Sequence, residues 1–402
     1  MVAVYRTMIS ARRALRSERH TGEWSSRMAN EAEAPAMTVA VTGLRGIPGI
    51  MGGVETHCEE LLRRVNELEP SLDIVVFGRS PYMAEGEQRY GPIRVVPLPA
   101  PKNQSLEAII STFRGVIEAR RRGVRLLHIH AIGPGLLTPF ARMLGLKVLV
   151  THHGTDYDRA KWGLMARTML RLGEWASVRM ANGVICVAPS LTDELKRRFP
   201  TSAARLYHIP NGAPEMDARA DGDDEDALEM LGLAPRGYIL AVGRLVPEKG
   251  FDYLIEAYRR SGSDKMLVIV GAADHASETS RRLLSMGNDR VRFVGQLPRT
   301  RLRQLYSNAA LFVLPSFHEG LPIVALEAAH CGAPILMSDI EPNKNVGLPE
   351  HNYFPVGDAD ALAEGLGGSL DRYAIDSDAV RQRFDWNDIA ARTLDIYRQL
   401  LR

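Results

Sequence analysis

Short apolar runs alternate with stretches of helical spacing over most of the chain. Val39 to Thr42, Ile74 to Phe77, Leu126 to His130 and Val148 to Thr151 have the length and density of buried strands, and Val54 to Leu68 has the apolar spacing of a helix. Such alternation predicts βαβ units around a parallel sheet. The pattern restarts at Tyr238 to Val242 and continues through a helix over Tyr253 to Arg260 and strands at Met266 to Val270, Val291 to Val294 and Leu311 to Leu314. The expected fold class is α/β, with two doubly wound domains. A last helical stretch, Trp386 to Leu401, carries apolar Ile389, Leu394, Ile396, Tyr397 and Leu400 and is expected to cross back to the first domain.

Between the two patterns, Ile209-Pro210-Asn211-Gly212-Ala213-Pro214 is dense in turn residues, and an acidic stretch from Asp221 to Asp226 follows. The hinge is placed near Asn211. That gives a first domain over 37–211, joined by the terminal helix at 386–402, and a second over 212–385. Residues 1–36 hold six arginines and no strand pattern, and are expected to form a disordered basic extension. Arg12, Arg13, Arg16 and Arg19 around Leu15 suit a membrane surface or a targeting signal; a misassigned start codon is the other reading.

Composition narrows the class. A chain of 402 residues exceeds what one core usually serves, and 45% hydrophobic with 24% charged residues is ordinary globular usage. Cys58, Cys186 and Cys331 are odd in number and lack zinc-site spacing, which fits a reducing cytosol. No apolar run is long enough to span a bilayer. The net charge of +2 conceals a split: residues 37–211 hold 23 Lys and Arg against 15 Asp and Glu, residues 212–402 hold 21 against 29. A basic first half suits an anionic acceptor or lipid surface, although solvated faces account for it equally.

Three loops carry candidate chemistry. Gly243-Arg244-Leu245-Val246-Pro247-Glu248-Lys249-Gly250 follows a predicted strand and precedes a helix, where open α/β sheets bind ligands. Its glycines free the backbone, and Arg244 and Lys249 are two cations suited to a diphosphate; a solvated basic turn is the alternative. Farther on, Pro315-Ser316-Phe317-His318-Glu319-Gly320-Leu321-Pro322 leads into an apolar stretch holding Glu327. Ser316 and Glu319 have capping-box spacing, but that would bury Gly320 and Pro322 inside a helix. Proline is tolerated best at the first helical position, so the helix is expected to start at Pro322, with Glu319 in the loop ahead of it. Glu327 needs a partner, either ribose hydroxyls or a buried cation. In the first domain, Arg45-Gly46-Ile47-Pro48-Gly49 leads to Gly52-Gly53-Val54-Glu55, a glycine-rich loop opening a helix whose dipole favours phosphate. Gly43-Leu44-Arg45-Gly46 lacks dinucleotide-fingerprint spacing, which argues against NAD.

Together, Gly-Arg-x4-Lys-Gly and Glu319-x7-Glu327, flanked by Pro-Ser-x-x-Glu-Gly and Glu-Ala-Ala-x-x-Gly-Ala-Pro, closely resemble the retaining family 4 glycosyltransferases, whose GT-B fold sets two Rossmann-like domains across a cleft. The resemblance runs from about Met37 to the C-terminus. It implies that Arg244 and Lys249 neutralise the donor diphosphate, Glu327 grips the ribose and Glu319 lies beside the donor sugar. The implied donor site comprises Gly52, Gly53, Gly243, Arg244, Lys249, Ser316, Glu319, Gly320, Leu321, Pro322 and Glu327. Thr151-His152-His153-Gly154, with His128-Ile-His130-Ala-Ile-Gly-Pro-Gly and Arg159-Ala-Lys161-Trp162-Gly163, is similar to bacterial polysaccharide-building members and adds His153 to the catalytic set of Glu319, Arg244 and Lys249. The resemblance further implies a nucleotide-sugar donor, a saccharide or lipid-linked acceptor, retention of configuration by front-face attack, no cofactor and no metal, no nucleic acid, and a cytoplasmic place that extends to the inner membrane face.

Two other classes compete. His128, His130, His152 and His153 could gather a metal for hydrolysis, and a non-catalytic nucleotide-sugar sensor would share the fold. Asp156-Tyr157-Asp158 spells the Asp-x-Asp of metal-dependent transferases but is read as coincidence. Between Tyr157 and Met180, Arg159, Lys161, Arg167, Arg171 and Arg179 interleave with Trp162, Leu164, Met165, Met169, Leu170 and Trp175. That stretch suits an anionic membrane, or else packs its apolar residues on the first sheet.

Overall fold

Strands β1 (Thr38–Thr42), β2 (Asp73–Arg79), β3 (Gln88–Tyr90), β4 (Ile93–Leu98), β5 (Leu126–His130), β6 (Lys147–His152), β7 (Gly183–Cys186) and β8 (Leu206–His208) form an eight-stranded sheet in the order β3-β4-β2-β1-β5-β6-β7-β8. Strands β9 (Tyr238–Val242), β10 (Met266–Val270), β11 (Val291–Phe293), β12 (Leu311–Leu314), β13 (Ile335–Ser338) and β14 (Tyr353–Phe354) form a six-stranded sheet in the order β11-β10-β9-β12-β13-β14. Among the described strands only β3 and β4 pair antiparallel. The computed structural model describes residues 37–50, 52–101, 107–155, 157, 163–214, 226–273 and 277–402. The basic extension, Asp156, Asp158, Arg159, Lys161, Trp162 and most of the acidic stretch lie outside the described residues.

Every residue of β5 and β9 is buried, as expected of strands covered on both faces. Alternation along the strands sorts side chains between two layers. In the second sheet, Leu240, Val268 and Phe312 pack with Leu305 and Tyr306, whereas Ile239, Ile269 and Val313 pack with Phe251 and Leu254. In the first sheet, Val39 and Val41 face α1 (Gly53–Leu68) through Leu61, Leu62 and Val65. The opposite face is covered by α2 (Glu107–Arg121), where a Cβ on Gly115 would lie 2.9 Å from Thr42 Oγ1. Helix α3 (Leu164–Met180) packs against the short helices at 132–135 and 138–143 and against β7.

In the second half, α4 (Phe251–Ser261) follows β9, α5 (Arg299–Asn308) precedes β12 and α6 (Ile323–His330) follows it. The terminal helix α7 (Trp386–Leu401) returns to the first sheet. Its Ile389, Leu394, Ile396, Tyr397 and Leu400 are buried in one cluster with Val39, Leu61 and Leu126. The chain crosses between the sheets twice, and the crossings run together. Ala213 N–H donates to Phe384 O at 2.8 Å, and a Cβ on Gly212 would fall 2.4 Å from the Trp386 ring.

Candidate active site

The carboxyl ends of β1, β6, β9 and β12 open onto one cavity of about 1130 Å³. From the first sheet it is lined by the Arg45–Thr56 loop and helix start, Arg79, Glu107 and His153; from the second by Gly243, Arg244, Glu248, Lys249, Arg299, the 318–324 loop and Glu327. A parallel sheet brings its ligand loops to this end. Two such ends facing each other make the pocket.

On the donor-loop side, β12 ends at Leu314 and α6 begins at Ile323 with Pro322 as its N-cap, so Glu319 lies in the loop. The helix starts one residue later than the proline rule predicts, within the usual scatter of helix ends. Ser316 does not cap it. Its hydroxyl donates to Glu319 Oε1 at 2.6 Å, and Lys249 Nζ donates to the same oxygen at 2.6 Å. Lys249 is delivered by the single turn Pro247–Lys249, closed by Gly250 in a left-handed conformation (φ 65°). A Cβ on Gly320 would lie 1.7 Å from His153 O, so only glycine lets this loop touch the end of β6. Gly243, Arg244, Leu321 and Pro322 complete the wall.

Glu327 is buried on α6 and accepts from Tyr306 Oη at 3.0 Å. Burial raises its carboxyl above the usual range, with the Arg299 charge and the Tyr306 hydroxyl opposing. Arg299, at the start of α5, also donates to Glu60 Oε1 of α1 at 2.5 Å, and Glu60 holds Arg64 through its other oxygen. Burial alone would raise Glu60, but Arg299 and Arg64 more than offset it and hold it below the usual range. Glu327 thus has the Tyr306 hydroxyl as its hydrogen-bond partner and feels the Arg299 charge without pairing with it, Arg299 being bonded to Glu60 of α1.

On the first-sheet side, Gly52 has φ 153°, and a Cβ there would fall 2.1 Å from Glu55 Oε2 and 2.3 Å from Arg45 Nη2. Glu55 accepts from the Arg45 backbone N–H at 2.9 Å and from its guanidinium at 3.1 and 3.2 Å. Gly52 thus makes room for this fork, while a Cβ on Gly53 would meet nothing closer than Ile323 Cδ1 at 3.9 Å. Beyond it, Glu107 accepts from Arg79 and Tyr82, each at 3.2 Å.

The four-histidine grouping does not form. His152 turns to Glu174 at 3.2 Å, and His128 lies between Tyr397 and Thr151, each at 2.7 Å. His57 of α1 joins His130 and His153 instead, with their ring nitrogens within 4.8 Å of one another. Burial first, then neighbouring imidazoles, lowers His153 to about 3 and His57 and His130 well below the usual value, so all three are neutral at physiological pH. Neutral imidazoles can ligate a metal. Here His130 Nδ1 and His153 Nε2 are 3.1 Å apart, and His57 Nδ1 pairs with Asn211 Oδ1 at 3.0 Å. Asn211 Nδ2 in turn donates to Leu321 O at 3.0 Å, tying α1 to the donor loop.

Residues 51–215 match the family described as Glycosyltransferase Family 4, and residues 231–379 match Glycosyl transferases group 1. Both halves of the chain thus match glycosyltransferase families, and its fold is the GT-B fold. It is similar to the α-maltose-1-phosphate synthase of Mycolicibacterium smegmatis, 27% identical over 398 residues, covering 90% of this chain and 100% of that one. Among solved structures it superposes on a sucrose-phosphate synthase from Thermosynechococcus elongatus with TM-score 0.72 and 24% identity, covering 91% and 99% of the two chains. It also superposes on Anabaena HepE in complex with UDP and glucose, with TM-score 0.69 and 18% identity, covering 90% and 100%.

A glycosyltransferase of this architecture takes a nucleotide-sugar donor, and the residues expected to hold it, Gly52, Gly53, Gly243, Arg244, Lys249, Glu319 to Pro322 and Glu327, all line the cavity, as does His153. Ser316 stands behind, bonded to Glu319. Sequence reasoning missed the neighbours that orient them: Arg299 and Tyr306 beside Glu327, Glu60 across the cleft, and Asn211 with His57. It also passed over Glu248, which lines the cavity with neither carboxylate oxygen hydrogen-bonded. The signal for His57 was its place on the buried face of an amphipathic helix; for Asn211 there was only a turn motif.

Proposed function

We propose that this glycosyltransferase moves a hexosyl group from a nucleotide sugar to a saccharide or lipid-linked acceptor with retention of configuration and without a metal ion, in cell-surface polysaccharide or glycoconjugate synthesis on the cytoplasmic side. The observation that carries this reading is the joint placement of Arg244, Lys249, Glu319 and Glu327 around one cavity between two sheet ends. The cations and the N–H groups at the start of α6 suit a departing diphosphate, and carboxylates suit the hydroxyls of sugar and ribose. In the proposed step the anomeric carbon–oxygen bond to phosphate breaks, the diphosphate keeps the electron pair, and the acceptor oxygen bonds to the same face. The acceptor proton passes to the leaving phosphate oxygen.

Glu319, held by Ser316 and Lys249, would orient the sugar. Neutral His153 would hydrogen-bond it rather than act as a cation. The sugar phosphates named for two relatives, and the UDP and glucose held by a third, support a nucleoside-diphosphate hexose as donor and an oxygen nucleophile on a sugar as acceptor. The test is turnover of nucleotide sugars after exhaustive chelation, with the product configuration read from its anomeric proton coupling. Full activity with a retained anomer is expected. Loss of activity in chelator, restored by zinc, would transfer the assignment to metal-assisted hydrolysis at His57, His130 and His153.

A further inference from the structure

Helix α3 is built inside out. Its buried residues are Gly173, Glu174, Ala176, Ser177 and Val178, whereas the residues at Leu164, Met165, Leu172, Trp175 and Met180 are 84, 80, 47, 48 and 39% exposed. The inward face holds a polar network: Glu174 accepts from Tyr157 Oη at 2.9 Å, forms an ion pair with Arg198 at 2.7 Å and meets His152 at 3.2 Å, and Ser177 Oγ donates to Gly173 O at 2.7 Å. The inward glycine brings the helix against its support, since a Cβ on Gly173 would lie 2.0 Å from Ile132 O. The large apolar side chains are thus left outward in a helix whose inner side is already full.

Leu164, Leu172 and Trp175 recur at helical spacing along one exposed face. The exposed charges of the helix are Arg167, Arg171 and Arg179, and its one acid, Glu174, faces in. Arg171 lies over the Tyr157 ring, 5.3 Å from its centroid, and Arg179 donates to Thr201 Oγ1 at 3.0 Å, so two of these cations are held near the face. The neighbouring helix at 138–143 adds Met143, 73% exposed. Apolar residues rimmed by cations are what an anionic lipid surface accepts, whereas a protein partner would need matching acids. Along the chain α3 follows β6, whose end carries His153 into the cavity, and none of the α3 residues lines that cavity.

We propose that α3 is an interfacial helix that docks the first-sheet half of this enzyme on an anionic bilayer, with Leu164, Met165, Leu172 and Trp175 among the acyl chains and Arg167, Arg171 and Arg179 at the headgroups. The proposal stands apart from the transfer chemistry, because lipid binding is measured without donor or acceptor. Among the described residues no helix is long and apolar enough to cross a membrane, so attachment would be peripheral.

The experiment is co-sedimentation of the full chain with vesicles of phosphatidylcholine containing about one-third phosphatidylglycerol, and with phosphatidylcholine alone, across a salt series. Binding to the anionic vesicles is expected, weakened by salt. Leu172→Ser and Trp175→Ser should each lower the partition coefficient about tenfold, and Arg167→Glu at least about fivefold, with thermal stability and donor turnover unchanged. Absence of wild-type binding at low salt, or variants that bind as the wild type does, would overturn the proposal. Self-association that the serine variants abolish, without lipid binding, would assign the face to a second copy of the chain. Vesicle binding with no donor turnover would leave this proposal standing and sink the transferase reading instead.

Discussion

The contact between Lys249 and Glu319 allows stability and catalysis to be separated in one experiment. Lys249 Nζ lies 2.6 Å from Glu319 Oε1, the two side chains are 14% and 11% exposed, and Ser316 Oγ occupies a second site on the same oxygen at 2.6 Å. A charge-assisted hydrogen bond is worth about 1.5–3 kcal/mol net, and a pair this well covered belongs toward the top of that range. Lys249→Met leaves Glu319 charged, with Ser316 still donating, so the donor-free protein should lose about 2–3 kcal/mol. Glu319→Gln leaves an ammonium facing a neutral amide and should lose about 1–2 kcal/mol. The double variant pairs two neutral side chains, and the cycle should return a coupling of about 1.5–3 kcal/mol.

Catalysis should behave differently. Lys249 is read as neutralising the leaving diphosphate and Glu319 as orienting the sugar, and neither role is restored by removing both charges. Each single variant and the double should lose about 10²–10³ in turnover at saturating donor. The assays are urea denaturation followed by circular dichroism and release of nucleoside diphosphate. Recovery of activity in the double variant alongside stability would refute the reasoning, because the pair would then be a structural ion pair only. So would wild-type turnover in folded Lys249→Met.

Glu327→Gln should raise the melting temperature at neutral pH while weakening donor binding roughly 10- to 150-fold, the equivalent of a hydrogen bond to a charged group. The sign follows from the raised carboxyl. Between the unfolded and folded values the native state holds the proton more tightly, so stability falls as pH rises through that window, and the glutamine escapes the loss; thermal melts at pH 4 and 7.5 with donor titrations check it, and an unchanged or lowered neutral melting temperature counts against the burial argument. His57, His128, His130 and His153 have lowered values, so the unfolded chain takes up protons below about pH 6.5 that the native state refuses. Stability should therefore fall with acidification by up to about 1.4 kcal/mol per pH unit for each of them, and donor turnover should show no imidazole titration near pH 6.5. A limb at pH 6–7 that disappears in His153→Asn would contradict the neutral assignment.

Central strands were readable because a strand covered on both faces is a short unbroken apolar run. Leu126 to His130, Tyr238 to Val242, Met266 to Val270 and Leu311 to Leu314 are observed with the bounds the pattern predicts. Outlying β3, β8 and β14 were not readable, being two or three residues long and only partly buried, so no periodicity could develop. Loop chemistry was legible where charge and glycine spacing coincide, as at Gly243 to Gly250. The partners of those charges were not. Arg299 and Glu60 are 239 positions apart, and only the meeting of α5 with α1 makes them neighbours. The inverted polarity of α3 was undecidable from spacing, since an amphipathic stripe does not say which side faces in.

The return of α7 to the first sheet imposes an order on biosynthesis. All eight strands of that sheet have been made by His208, yet the side chains that seal its α1 face, from Trp386 to Leu401, lie a whole second sheet farther along the chain. At about 5–20 residues per second, the nascent sheet waits roughly 10–40 s with Leu61, Val39 and their neighbours incompletely covered. Over that interval the half-made protein offers chaperones an apolar surface that the finished enzyme lacks, and a ribosome stalled in the second half would release a chain whose first domain cannot close.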